Sequence, residues 1–322
     1  MRIAVLVPCH NEAQTVAKVV ADFRRVLPQA EIWVFDNASA DHTGELAAQA
    51  GARVRRVAAK GKGNVVRAMF RDVEADVYLI VDGDDTYPAE AAPMLLEDIG
   101  SGCADMVVGT RLETHGAASF RRFHGFGNRL VRRCVGALFG HPVRDVLSGY
   151  RAFSRRFVKS MPVLSRGFEI ETEMTVFALS NGFVLAERAI PYRMRPDGSV
   201  SKLNTYRDGL RVLKTILFLF KDMRPLVFFG ALALVCVLAG LGFGSIVIHE
   251  FSQSGLVTHP STAVLAVAFT LVGVVALATG LILDTVNRRS NEILRLITDQ
   301  VIVKSTAPAS PLSASGGTAP AG

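Results

Sequence analysis

Three carboxylates stand together in Asp82-Gly83-Asp84-Asp85, directly after the apolar run Val77–Val81. Like charges this close repel one another unless a cation or a positive substrate group accompanies them. Hard oxygen ligands of this kind suit Mg²⁺ or Mn²⁺ bridging a diphosphate. The competing use is a solvated acidic turn that caps the helix after Pro88. Asp36 follows the run Ile32–Phe35 in the same way, and Glu12 comes shortly after Ile3–Val7. Acidic groups at three run ends fit recognition of ribose hydroxyls and a base edge. Ser39, Asp41 and Thr43 have the chemistry of turns and helix caps, which does not account for Asp36. Lys60-Gly61-Lys62-Gly63-Asn64 opens a helical pattern, where glycines let backbone N–H groups approach an anion and the lysines add charge. It lacks the third glycine of a dinucleotide fingerprint and the Ser/Thr of a Walker loop, which argues against a dehydrogenase and a nucleotide hydrolase.

The elements that must hold these groups alternate short apolar runs with helical patterns, as in a parallel sheet built from βαβ units. Strands are expected at Ile3–Val7, Ile32–Phe35, Arg53–Val57, Val77–Val81 and Met106–Gly109. Helices are expected at Ala13–Val26, His42–Ala50, Gly63–Val73 and Ala89–Ile99. In such sheets ligands bind beyond the carboxyl ends of the strands, which is where the acidic residues fall. Past residue 110 the pattern loosens into a basic segment, Arg111–Arg133, a compact Asp145–Arg151 and a helix over Glu169–Leu179. Glu169 and Glu171 lie two apart and do not share a helix face, so at least one is expected to be structural.

Half of the 322 residues are hydrophobic. Much of that excess sits in Leu226–Ile248 and Ser261–Leu283, each free of charged side chains and long enough to cross a hydrocarbon core of about 30 Å. The loop between them has no Lys or Arg, whereas Arg211, Lys214, Lys221 and Arg224 precede the first span and Arg288, Arg289 and Arg295 follow the second. The positive-inside rule puts both flanks in the cytoplasm. The first eight residues have neither the length nor the cleavage site of a signal peptide, so the first domain is expected to stay cytoplasmic. Cys9, Cys103, Cys134 and Cys236 show no metal or redox spacing, as suits a reducing compartment. The net charge of +7 serves this topology and anionic phosphates; basic residues are not interleaved with aromatics, which disfavours nucleic acid. Arg207–Arg224 reads as a basic amphipathic helix in the headgroup plane, or else as a helix packed on the preceding domain. The Ala/Ser/Pro/Gly tail from about residue 305 reads as disordered. The expected organisation is 1–205, a nucleotide-binding α/β domain; 206–224, the juxtamembrane helix; 225–284, a two-helix anchor; and 285–322, a cytoplasmic tail.

Taken together, these pieces resemble family 2 glycosyltransferases of the GT-A fold, in the branch of dolichol-phosphate mannose synthase and bacterial polyprenyl-phosphate glycosyltransferases. The resemblance rests on Pro8-Cys9-His10-Asn11-Glu12, Asp36 to Thr43, Lys60-Gly61-Lys62-Gly63, Asp82-Gly83-Asp84, Gly109-Thr110-Arg111, Asp145 to Arg151, Gly167 to Glu171 and Arg195 to Lys202. It covers about two thirds of the chain and implies a Rossmann-like, mostly parallel sheet. It implies that Pro8, Asn11, Glu12, Asp36, Lys60, Asp82, Gly83 and Asp84 hold the nucleotide sugar and that Asp82 and Asp84 are the metal pair, Asp84 the more direct ligand. Arg111, Arg121, Arg122, Arg195, Ser201 and Lys202 would gather the donor diphosphate and the acceptor phosphate. His10 stands where many relatives have Tyr, and Thr86 where some have Gln, which leaves base and sugar open.

A polyprenyl phosphate oxygen is already anionic near neutral pH, so the expected reaction needs positioning more than deprotonation, and in-line attack would invert the anomeric centre. Asp145 is then a base or an organiser of the acceptor side. A homo-oligomer at the cytoplasmic membrane is compatible with this resemblance. The rivals are a nucleotide-binding membrane protein without catalysis and a glycosyltransferase with another lipid or glycan acceptor. A processive polysaccharide synthase is disfavoured, because the chain has its one tryptophan at Trp33 and no Gln-x-x-Arg-Trp motif.

Overall fold

The computed structural model describes residues 1–111, 135–136, 142–193, 214, 216–218 and 220–306, with the backbone alone for 291 and 294–306. Seven strands form one sheet in the order β3-β2-β1-β4-β6-β5-β7. They are β1 (Ile3–Cys9), β2 (Glu31–Asp36), β3 (Arg53–Arg56), β4 (Val77–Ile80), β5 (Met106–Arg111), β6 (Arg151–Ser154) and β7 (Leu185–Ile190). Among the described strands, only β6 runs antiparallel to its neighbours, β4 and β5. The fold is thus the mostly parallel α/β sheet expected, with two strands, β6 and β7, that apolar runs did not announce.

Alternation along each central strand divides the core in two. Val5, Val7, Val77, Leu79 and Val107 face one side, where α1 (Val16–Val26) and α4 (Ala92–Gly100) bury Val19, Val20, Phe23, Leu95 and Leu96. Leu6, Tyr78, Ile80, Met106 and Val108 face the other, against α3 (Lys62–Asp72), α5 (Arg155–Ser160) and α6 (Ile170–Ser180). A strand buried on both faces reads as a continuous apolar run, which is why β1 and β4 were legible. Each such fully buried Val, Leu or Phe contributes about 1.5–3 kcal/mol of transfer free energy. The remaining helix of this domain, α2 (Thr43–Gln49), follows β2.

Helix α1 begins at Val16, three residues later than periodicity indicates. The N–H groups of Glu12 and Ala13 are taken instead by Thr43 Oγ1 (2.9 Å) and Asp41 Oδ2 (3.1 Å), so this stretch belongs to the rim. At the sheet edge, all four side chains of β3 are exposed. Arg53 pairs with Glu31 (3.1 Å) and lies over the Trp33 ring, while Arg55 pairs with Asp72 (3.3 Å).

Two apolar helices follow, α7 (Pro225–Ser254) and α8 (Pro260–Thr306), and both contain segments long and apolar enough to cross a membrane. They pack on small residues. An added Cβ at Gly240 would lie 2.4 Å from Thr270 Oγ1 and 3.0 Å from the Ala266 carbonyl, and one at Gly273 would lie 2.8 Å from Val237 Cγ2. Close backbone approach of this kind is how helices associate without a hydrophobic driving force between them. Helix α8 runs past the apolar span to Thr306, so residues 285–306 continue it. Of the amphipathic segment 206–224, most lies outside the described residues. Its Ile216 is buried with Val135, Val143, Val146 and Val176, and Met223 packs beside them. At those two positions the segment docks on the catalytic-side core, whereas Leu217 and Phe218 are exposed.

Candidate active site

Strand order reverses around β1 and β4, and the groups singled out in the sequence collect at the carboxyl ends of these strands and of β2. Asp36 ends β2. Its side chain accepts the Ser39 N–H (3.0 Å), and its backbone carbonyl accepts the Val57 N–H (2.8 Å). Asn37 ties three loops together. Its N–H donates to the Cys9 carbonyl (2.8 Å), its amide donates to the Val57 and Ala59 carbonyls (3.1 and 2.7 Å), and its Oδ1 accepts the Gly61 N–H (2.8 Å). Asn37 lies within the Asp36–Thr43 motif, but sequence reading assigned it no role of its own. After β1, His10 Nδ1 lies 2.8 Å from the Asn37 carbonyl, and Asn11 accepts the Ala40 N–H (2.8 Å) while giving its own N–H to Ser39 Oγ (2.9 Å). Pro8 and Glu12 flank this junction, with the Glu12 carbonyl starting α1.

Among the described residues, three other than glycine have left-handed backbones, Asn11 (φ 53°), Ala38 (φ 52°) and Asp85 (φ 58°), and all lie on this rim. Such conformations cost free energy and persist where their surroundings dictate them, as at binding sites.

At the end of β4, Gly83 leaves no room for a side chain, since a Cβ would lie 2.4 Å from Cys9 Sγ; Thr15 Oγ1 donates to its carbonyl (2.6 Å). Asp84 is buried, and its Oδ1 accepts the Thr86 N–H (3.2 Å) and hydroxyl (2.6 Å). Asp85 pairs with Lys18 (2.8 Å). Asp82 accepts from Lys62 Nζ (2.5 Å), which also meets Glu171 (2.6 Å). Burial works against the Lys62 charge, yet the two carboxylates override it and hold the ammonium's pKa well above its ordinary value. Burial pushes the Glu171 carboxyl up, against the opposing pull of Lys62.

This differs from the expected use of the Lys60–Asn64 glycines. A Cβ at Gly61 would lie 2.1 Å from the Arg166 carbonyl, and one at Gly63 would lie 2.2 Å from that of Ser165, so both glycines pack the helix start against the approach to α6. Lys62 turns inward to carboxylates, while Lys60 is exposed. The inward position was readable: Lys62, Val66 and Met69 lie on one stripe at helical spacing. Glu171 shares such a stripe with the buried Met174 and Ala178. Glu169 accepts the Gly167 N–H (3.0 Å), and Glu173 accepts those of Leu164 and Ser165 (both 2.8 Å), so these two acids shape the loop.

On the far side of β4, Arg111 ends β5 and forms a two-pronged pair with Asp145, Nε to Oδ2 at 2.7 Å and Nη2 to Oδ1 at 2.8 Å. Its guanidinium also lies over the Tyr192 ring. Burial raises the Asp145 carboxyl, but the Arg111 hydrogen bond and charge outweigh it and hold the pKa below the ordinary range. Arg151 is wholly buried, donating to the Ser148 and Val146 carbonyls (2.8 and 2.6 Å) and to Thr175 Oγ1 (2.9 Å). Its pKa is pushed down to about 10 by burial. It braces the 145–150 turn, whose Gly149 has no space for a Cβ because Asp82 Oδ2 would stand 2.3 Å away. The two halves of the site therefore touch there. The other expected phosphate-side residues, Arg121, Arg122, Arg195, Ser201 and Lys202, lie outside the described residues.

Among the described residues, no three His, Cys, Asp or Glu side chains group as a metal site by themselves. A pair of carboxylates at a strand end is still the donor set that Mg²⁺ or Mn²⁺ takes when substrate phosphates and water complete the shell.

A mixed, mostly parallel sheet with an acidic turn after its fourth strand defines a GT-A-like nucleotide-sugar fold. The fold is shared with glucosyl-3-phosphoglycerate synthase from Mycobacterium tuberculosis, solved with Mn²⁺, uridine diphosphate and phosphoglyceric acid. That structure has a TM-score of 0.58 at 21% identity over 68% of this chain and 78% of that one. Residues 4–161 match the glycosyl transferase family 2 model. The chain is 35% identical over 296 residues to Glycosyltransferase AglJ of Haloferax volcanii, covering 92% of this chain and 97% of that protein. It is 33% identical over 215 residues to a dolichyl-phosphate hexose transferase of the same organism, covering 66% and 92%. The chain belongs to glycosyl transferase family 2 and is a glycosyltransferase.

Proposed function

We propose that this chain moves a hexose from a UDP- or GDP-sugar to a polyprenyl phosphate at the cytoplasmic face of the membrane, with inversion at the anomeric carbon, as one step in building an envelope glycan or a glycosylated protein. The observation that carries this reading is Arg111, a guanidinium aimed by Asp145, beside the Asp82–Asp84 turn in a chain that continues into two apolar helices. The similarity to a dolichyl-phosphate hexose transferase supports the acceptor class.

In this reading Pro8, Asn11, Glu12, Asp36 and Lys60 line the nucleoside side, and Asp82 and Gly83 the sugar side. Arg111 anchors phosphate with Arg121, Arg122, Arg195, Ser201 and Lys202. Asp84, with Asp82 as its neighbour, would hold Mg²⁺ or Mn²⁺, which when bound supplies charge stabilisation to the departing diphosphate. Both Asp145 oxygens engage Arg111, so Asp145 acts here as the organiser of the phosphate site. A phosphate nucleophile carries its own negative charge and needs no base. The division into 1–205, 206–224, 225–284 and 285–322, with a cytoplasmic catalytic domain and tail, belongs to the same proposal.

Membranes containing the protein, undecaprenyl phosphate and Mg²⁺ or Mn²⁺, given radiolabelled UDP- and GDP-sugars in turn, test it. Label from one donor should enter solvent-extractable lipid and be absent with Asp84→Ala. Intact nucleotide binding with no lipid label from any donor would overturn the acceptor assignment.

A further inference from the structure

The acidic turn after β4 and the 145–150 turn are each followed or closed by a tyrosine that reaches the other's backbone. Tyr87 Oη accepts the Gly149 N–H (3.1 Å), and Tyr150 Oη donates to the Pro88 carbonyl (3.3 Å). The two rings lie 5.3 Å apart. Burial pushes both hydroxyls above their ordinary pKa, so they stay protonated. The chain leaving β7 is tied to the same place. The Arg193 N–H donates to the Thr86 carbonyl (2.8 Å), and the Arg193 guanidinium approaches Glu90 (3.4 Å) and Asp85 (3.8 Å). Between these ties the Tyr192 ring meets the Tyr87 ring edge-on, with centroids 5.2 Å apart.

Arg111 stands on this aromatic platform. Its guanidinium carbon lies 5.6 Å from the centre of the Tyr192 ring, within cation–π reach. Asp145 engages Nε and Nη2 along the guanidinium edge, so carboxylate and ring hold the group from two different directions. A carboxylate at one edge leaves the planar fork able to tilt about that edge, and a ring beneath its face stops the tilt. Packing gives a weaker reason for a tyrosine here. Tyr192 is half-buried against the α1 side of the core, a place that leucine would fill as well, but leucine has no π face. We infer that Tyr192, seated on Tyr87, is a positioning residue that holds the Arg111 guanidinium at one height beside the acidic turn, ready for a phosphate. The inference rests on the reading of Arg111 as a phosphate anchor. Because Tyr87 directly follows the acidic turn, that phosphate site is kept in register with the donor side.

The test uses the full chain in detergent and measures binding of two probes, undecaprenyl phosphate alone and UDP with Mn²⁺. Tyr192→Leu should weaken undecaprenyl phosphate by about 3- to 30-fold, the fold-change that a cation–π contact corresponds to, with UDP affinity as in the parent. Tyr192→Phe keeps the ring and should restore parental binding of both. Arg111→Gln removes the cation while its amide still donates to Asp145. In that background Tyr192→Leu should cost less than about twofold, because both changes remove the same interaction. In transfer assays the Tyr192→Leu loss should appear as a raised KM for the lipid phosphate at unchanged kcat, the mark of binding energy common to ground and transition states. A tyrosine that served packing alone would give the same loss in Tyr192→Leu with and without Arg111, and that result overturns the inference. So does a Tyr192→Leu variant, or an Arg111→Gln variant, that weakens neither probe. Should Tyr192→Leu fail to fold, Tyr192→Met, which also lacks a ring, decides by the same comparison. If UDP is instead the probe that weakens in both Arg111→Gln and Tyr192→Leu, the positioning role holds and the acceptor assignment falls. A folded parent that binds neither probe overturns both readings.

Discussion

The two halves of the site hold their charged groups in opposite ways. On the proposed nucleotide side, Asp36 and Asp41 accept from backbone N–H groups and a hydroxyl, which are neutral donors. On the phosphate side, Asp145 is matched by a guanidinium and Arg151 is buried among carbonyls. Neutral donors orient a carboxylate while preserving its field for an incoming cation, whereas a paired carboxylate aims an arginine whose remaining surface meets an anion. Two cations also stand on the nucleotide side, Lys18 on Asp85 and Lys62 on Asp82, the latter where Gly149 brings the halves together.

The contrast can be broken from either side. Asp84→Ala should lower lipid-linked transfer by about 10³-fold, the scale of losing a charge-stabilising group; a loss under tenfold would mean the acidic turn does not serve a metal. Arg111→Lys should cost about 10²-fold, because an ammonium cannot reproduce the two-pronged pair with Asp145. Asp145→Asn should retain more activity than Arg111→Lys, since the amide still holds the arginine; the reverse order would make Asp145 the base.

Stability measurements sharpen the comparison further. Gly61→Ala should destabilise the domain by about 2–3 kcal/mol in chemical unfolding, because its φ of 121° is hostile to a side chain and the Arg166 carbonyl occupies the space. For the hairpin, Gly240→Leu should lower stability in detergent by about 1–3 kcal/mol through overpacking on Ala266 and Thr270.

The smallest effect concerns pH. The Asp145 pKa is depressed in the folded state, so its stabilising contribution is complete above the unfolded carboxyl value near 3.9 and disappears as pH falls through the lower folded value. Thermal stability of Asp145→Asn should therefore fall less steeply than that of the parent below about pH 4.

The donor half was legible because its strands are buried on both faces and end abruptly in acidic residues, as Ile3–Val7 and Val77–Val81 do. On the other side Arg111 and Asp145 were named from the sequence, but strands β6 and β7 around them were not. Strand β6 opens on Arg151, whose burial depends on carbonyls gathered by the tertiary fold, and the edge strand β7 carries Glu187 and Arg188 among its few apolar residues. No local pattern announces such strands. The Lys62–Glu171 contact joins residues far apart in the chain, each readable as facing inward and neither pointing to the other. The amphipathic pattern before Arg224 was visible, but the two settings weighed for it have the same periodicity; Ile216 is buried while Leu217 and Phe218 are exposed.

The arginine-bearing edge strand has a wider bearing. Sheets grow by adding strands at an open edge, and charged side chains there are the usual guard against unwanted addition. Arg53, Arg55 and Arg56 are exposed along β3, and with Arg53 held by Glu31 and Arg55 by Asp72 a neighbouring copy that tried to extend the sheet would meet a row of charged, ion-paired side chains. That edge is thereby guarded against strand addition as the chain folds.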